Sequence, residues 1–143
     1  RLRELLDIPV FHDDQHGTAI VTAAGLLNAL DVTGRSLKDI QMVVNGAGAS
    51  SIACIELLKA MGLPHNNVII CDTKGVVYQG RTDGMNQWKS AYAVDTPART
   101  LADALRGADV FYGLSAKGEE GNAGTEAAVK DKVHALTAKF PIY

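Results

Sequence analysis

The chain has 143 residues, of which 47% are hydrophobic and 21% charged, and its formal net charge is -2. That length fits one domain with a sizeable core, the composition excludes intrinsic disorder, and the charge offers nucleic acid no electrostatic footprint. No apolar run approaches the roughly 20 residues that span a bilayer and no signal-peptide pattern opens the chain, so we expect small-molecule or subunit partners, no membrane partner, and a cytoplasmic location.

In chain order, "RLRELLDIPVF" is a charged helical pattern that starts at Arg1 without a preceding cap, and it reads as the interior of a longer chain. "HDDQH" then sets Asp13 and Asp14 between His12 and His16, where a helix begins. Residues 17–30, "GTAIVTAAGLLNAL", carry apolar residues at helical spacing almost all round, which predicts a buried helix with Thr18 as a cap or first-turn donor. "VTGRSLKDI" is a polar connection, and "QMVV" before Asn45 is a short buried strand without alternation.

Ala49 to Met61 repeats Ile52, Ala53, Leu57, Leu58 and Met61 at helical spacing, with Gly62 as its terminator ahead of Pro64. "NNVIICD", residues 66–72, is the second strand. Residues 73–84, with glycines at 75, 80 and 84, form a loop with a small excursion of strand, and "MNQWKSAYAV" is a short amphipathic helix. Thr100 followed by Asp103 resembles a capping box ahead of "LADALR", and "ADVFYGLS" is a third buried strand. From Gly118 onward the chain is more polar, with one surface helix expected over about 125–139. Cys54 and Cys71 fall in apolar patterns and read as reduced core thiols.

Strands alternating with helices require long crossovers that cover a parallel sheet, so the fold class is α/β, a Rossmann-like parallel sheet with flanking helices and about three core strands. "VVNGAGASSIACIELL" places Gly46, Gly48 and Ser51 after a strand and at the opening of a helix. Gly46 permits the tight turn, Gly48 lets the backbone approach a pyrophosphate, a small Ser51 allows close helix–strand packing, and the helix N-terminus offers free N–H groups to an anion. Asp72 ends the next strand, where this architecture puts the residue that meets the adenosine ribose. An aspartate there favours NAD, whereas Thr73, Lys74, Arg81 and Lys89 are near enough in sequence to neutralise the 2′-phosphate of NADP, and the residues alone leave the two in balance.

The paired aspartates have three readings. They suit a hard divalent ion such as Mg or Mn, which takes oxygen ligands and keeps waters in its shell. A zinc site on His12 and His16 would need both on one helical face. The third reading is a helix start whose acids complement the macrodipole.

Taken in order, "IPVFHDDQHGTAI", "VVNGAGASSIACIELL", "CDTKGVVYQGR" and "AYAVDTPARTLADALRGADVFYGLS" resemble the cofactor-binding domain of malic enzymes, most closely the bacterial NADP-dependent kind, over residues 1 to about 117. The resemblance implies oxidative decarboxylation of (S)-malate to pyruvate and carbon dioxide with reduction of NAD(P). It implies that Asp14 binds the divalent metal, which lowers the pKa of the malate hydroxyl, and that Asp13 beside it supports the catalytic base. Thr18, the turn from Gly46 through Gly48, Ala49 and Ser50 to Ser51, and Ser115 are similar to the family's cofactor contacts. Asp72 matches its adenosine-side acid, and Lys89 falls near the lysine that NADP-dependent members carry for the 2′-phosphate, which tips the expectation to NADP.

The family's tyrosine acid, lysine base and further metal-binding acids have no counterpart in this sequence, and residues 118–143 depart from its pattern. We therefore expect a domain over 1–117, incomplete at both ends, followed by a divergent helical segment. The expected partners are malate or pyruvate, the rest of a malic enzyme chain and further copies in a homo-oligomer, and the isolated chain is expected to be inactive. The competing reading is a non-catalytic dinucleotide-binding or oligomerisation module in which "HDDQH" only starts a helix.

Overall fold

The computed structural model describes residues 2–115. In chain order it contains α1 (Leu2–Leu5), a π-helical turn (Asp13–Gly17), α2 (Thr18–Thr33), β1 (Met42–Asn45), α3 (Ala49–Ala60), β2 (Val68–Asp72), β3 (Gly75–Val76), α4 (Gln87–Ser90), α5 (Leu101–Ala104) and β4 (Val110–Gly113). The sheet runs β3-β2-β1-β4. β1 pairs in parallel with β2 on one side and β4 on the other, while β3 turns back antiparallel to β2. The three expected parallel strands are therefore present, and the small excursion of strand in the glycine loop is β3.

The continuous apolar run of β1 follows from its central place, since both of its faces are covered. Met42 and Val44 face a core shared with Ala23, Leu26 and Leu30 of α2, Ile55 and Leu58 of α3, and Ile70 and Val77. Val43 points to the opposite face with Cys71, Val76, Ala98 and Ala104 of α5. Gly62 closes α3 at φ +112°, with its own N–H bonded to the Lys59 carbonyl and the Leu63 N–H to that of Leu58, so the last-turn carbonyls are satisfied. The capping box is also present: Asp103 N–H donates to Thr100 Oγ1 at 3.1 Å, and Thr100 N–H donates to Asp103 Oδ2 at 3.0 Å. Both cysteines are buried and free, and burial pushes the Cys71 thiol up to about 11, which keeps it neutral and inert.

Three expectations are corrected. α2 is buried along one stripe only: Ala19, Ala23, Leu26 and Leu30 are covered, whereas Ile20, Val21 and Val32 are 59%, 71% and 82% exposed. Among the described residues it lies on the outside of the layer, with α3 and the sheet on one side. β4 is, among the described residues, an edge strand and not a buried one, because there it pairs with β1 alone; Phe111 and Gly113 are exposed while Val110 and Tyr112 are half-buried. Thr18 does not cap α2: Gly17 stands at the N-cap without a side-chain bond, and the Thr18 carbonyl accepts from Thr22 Oγ1 at 2.7 Å. Thr22 in turn joins elements, since Tyr112 of β4 donates its hydroxyl to the Thr22 carbonyl at 2.7 Å and Thr22 Oγ1 lies 3.3 Å from Cys54 Sγ of α3.

The amphipathic helix expected after Gly84 is reduced to the single turn α4, capped by the Asn86 side chain. Among the described residues, no helix is long and apolar enough to cross a membrane. The surface helix expected over about 125–139 and the divergent segment from 118 lie outside the described residues.

Candidate functional site

A cleft of 420 Å³ opens at the C-terminal ends of the parallel strands, lined by Asn45, Gly46, Ala47, Asp72, Thr73, Lys89 and Ser115. β2 and β4 leave β1 in opposite directions, so the cleft sits where a doubly wound sheet changes direction and binds its ligand. Asn45 ends β1, Asp72 ends β2, and Ser115 follows β4.

The glycine turn divides its work as its spacing predicts. Gly46 has φ +122°, and a Cβ there would lie 2.9 Å from Ser115 Cβ and 3.2 Å from Ser51 Oγ. Backbone, α3 and the segment after β4 therefore close tightly around it, and the buried Ser51 is small enough to permit that. Gly48 is the opposite case: it is the N-cap of α3, and a Cβ there would meet nothing within 4 Å. Its open side leaves the first amides of α3, at Ala49, Ser50 and Ser51, without intrahelical partners and available to an anion. Asn45 Nδ2 donates to the Ser115 carbonyl at 3.2 Å, tying the ends of β1 and β4 across the cleft floor.

Asp72 differs from a free ribose acceptor. Arg81 Nη2 lies 2.9 Å from each of its oxygens, Lys89 Nζ donates to Oδ2 at 2.7 Å, and the Lys74 N–H donates to Oδ1 at 2.8 Å. Those contacts use the carboxylate's acceptor positions, so a 2′-hydroxyl would have to displace a cation to reach it. Burial pushes the Asp72 carboxyl up, but the hydrogen bonds from Lys89, Lys74 and Arg81 together outweigh it and hold the group below the usual carboxylate range.

The two cations have different duties. Arg81 is 5% exposed, and its remaining donors reach the Asp83, Gly75 and Val76 carbonyls, so it folds residues 73–84 around Asp72. Lys89 lines the cleft and, with bonds to Asp72 and the Gly84 carbonyl, has spent two of its three protons. The residues alone left Arg81 as one candidate among several for the phosphate; its partner is instead Asp72. Asn45 and Ala47 also line the cleft and were not singled out, although their positions inside the glycine turn were signal enough.

Thr18, Asp13 and Asp14 do not line this cleft. Asp13 and Asp14 are exposed in the first turn of the π-helical segment, which packs against α2 and α3. The Asp13 carboxylate folds back over Gly17, where a Cβ would overlap its Oδ1. His16 Nδ1 instead faces the His12 backbone, 3.2 Å from its N, and no group of three or more His, Cys, Asp or Glu among the described residues is arranged to hold a metal ion. The two adjacent carboxylates have the oxygen chemistry of a hard ion such as Mg or Mn, which completes its shell with waters and substrate oxygens.

Comparison with known proteins agrees with this geometry. The family model for the NAD binding domain of malic enzyme matches residues 15–132. An NADP-dependent malic enzyme of Rhizobium meliloti is 73% identical over 118 residues, covering 82% of this chain and 16% of the relative. A probable NADP-dependent malic enzyme of Rickettsia prowazekii is 57% identical over 143 residues, 100% of this chain and 18% of that protein. The chain thus spans less than a fifth of the length of these two relatives. Among solved structures, an NAD-dependent malic enzyme of Thermotoga maritima superposes with a TM-score of 0.73 at 36% identity, covering 84% of this chain and 33% of the other. Matched over most of its length by the family model, the chain belongs to the malic enzymes, as part of their NAD-binding domain.

Proposed function

We propose that this chain is the dinucleotide-binding part, over residues 1–117, of an enzyme that oxidatively decarboxylates (S)-malate to pyruvate and carbon dioxide, and that it takes NADP in preference to NAD. The observation that carries the reading is the Asp72 carboxylate. Its oxygens are occupied by Arg81, Lys89 and Lys74, and Lys89 keeps a proton for a ligand in the cleft. An acid so engaged no longer repels a 2′-phosphate, and the spare ammonium proton attracts one.

The pyrophosphate would lie over Gly46 and Gly48 against the first amides of α3, at Ala49, Ser50 and Ser51, with Ser115 beside the turn. Asp14 would serve a Mg or Mn ion as an oxygen ligand, and Asp13 would stand next to it as support for the base, with Thr18 one turn further on. Such an ion, when bound, polarises the malate hydroxyl and carboxylate. The rest of a malic enzyme chain and further copies in a homo-oligomer would supply the remaining chemistry, in the cytoplasm.

Calorimetric titration tests the cofactor reading. NADP should bind at least tenfold more tightly than NAD, and Lys89→Gln should remove most of that difference, since a charge-assisted hydrogen bond is worth about 1.5–3 kcal/mol. Equal affinities for the two dinucleotides would refute it. In the full-length enzyme, Asp14→Ala should abolish Mn-dependent NADPH production from malate while NADP still binds.

A further inference from the structure

One acid at the cleft rim has no part in the reading above. Asp83 is exposed and forms an ion pair with Lys74, which stands two residues past Asp72. The two side chains are 73% and 49% exposed. Between Lys74 and Lys89 lies Gly84, at φ +66°: a Cβ there would be 3.0 Å from Lys74 Cδ, while the Gly84 carbonyl accepts from Lys89 Nζ at 2.9 Å. Lys74 and Lys89 therefore flank one glycine, with Lys89 turned into the cleft and Lys74 turned to Asp83. Around this rim, Lys74, Arg81 and Lys89 face Asp72 and Asp83. Arg81 is spent on Asp72 and on backbone carbonyls, so Lys74 is the one cation of the three whose charged partner lies outside the cleft wall.

We propose that Asp83 is a specificity-tuning residue: by neutralising Lys74 it limits how strongly the cleft prefers a ribose 2′-phosphate to a 2′-hydroxyl. This rests on the NADP reading above. Asp83 touches no cofactor atom in the proposal and works through Lys74, a flexible point charge whose stem lies against Gly84 and is free to change rotamer once its partner is gone. The pair is solvent-exposed, so its own contribution to folding is small, and the change should appear in ligand discrimination and not in stability.

The test titrates the whole chain calorimetrically with 2′,5′-ADP and with 5′-AMP, which differ by the 2′-phosphate. Asp83→Asn should tighten 2′,5′-ADP about threefold at low salt and leave 5′-AMP unchanged, because one unscreened charge several ångströms from a phosphate changes affinity by that order in high dielectric. The gain should shrink as salt is raised, and the double variant D83N/K74Q should show none of it. Unchanged or weaker 2′,5′-ADP binding by D83N overturns the inference, as does a gain that survives in D83N/K74Q or an equal gain for 5′-AMP. Lys89→Gln separates this from the reading it rests on. If K89Q abolishes the preference for 2′,5′-ADP while D83N does nothing, the role of Asp83 fails and the NADP reading stands. If K89Q leaves the preference intact, the NADP reading itself fails.

Discussion

Arg81 Nη2 lies 2.9 Å from both oxygens of Asp72, and the two side chains are 5% and 8% exposed. A buried pair of this kind contributes little relative to apolar residues, yet removing Arg81 leaves the buried Asp72 carboxylate with Lys89 as its remaining cation and strips the donors from three backbone carbonyls. The pair is also what folds residues 73–84 back on β2, since the same guanidinium holds the Gly75, Val76 and Asp83 carbonyls.

Arg81→Ala should therefore destabilise the fold by about 3 kcal/mol, the cost typical of a broken buried pair. Urea unfolding followed by circular dichroism measures it. Arg81→Lys should recover less than half, because one ammonium cannot reach the carboxylate and the carbonyls together.

Acid should remove the same stabilisation. The folded-state pKa of Asp72 lies below its unfolded value, so the stability it brings is fully present above the ordinary carboxylate value of about 3.9 and is lost as pH falls through the folded value beneath it. Thermal melts of the native chain and of Asp72→Asn should differ most near neutrality and converge as pH falls from the ordinary carboxylate value of about 3.9 through the lower folded value. A constant difference from neutral to strongly acidic pH would show that ionisation of Asp72 is not its source.

Gly17 permits the fold of the Asp13 carboxylate, since a Cβ at that position would overlap Oδ1. With Asp13 in the proposed supporting role, Gly17→Ala in the full-length enzyme should lower malate turnover on the order of a hundredfold, the penalty for displacing a group by about 1 Å. NADP affinity measured by calorimetry should stay unchanged, because Gly17 does not line the cleft.

Much of this was legible in the residues. Met42 to Val44 read as a buried central strand because burial on both faces removes alternation, and Gly62 and the Thr100–Asp103 pair read correctly because caps are local chemistry. The Gly46–Gly48–Ser51 turn was legible for the same reason. The exposure of Val21 and Val32 was not, since composition records how apolar a helix is and not how many neighbours it meets. Nor was the edge position of β4 among the described residues, which depends on the order β3-β2-β1-β4 and so on contacts remote in sequence. The pairing of Arg81 with Asp72 escaped because it is made through the reversal of the chain at β3, a relation that no periodicity encodes.

Thr22 has a mechanical consequence. Its carbonyl is tethered to Tyr112 on β4, its hydroxyl abuts Cys54 on α3, and the segment bearing Asp13 and Asp14 runs directly into the helix that carries it. The acidic turn and the glycine bend are thereby bolted to a common frame. Their separation is set by the scaffold before any ligand arrives, and neither can drift without straining the clasp at Thr22.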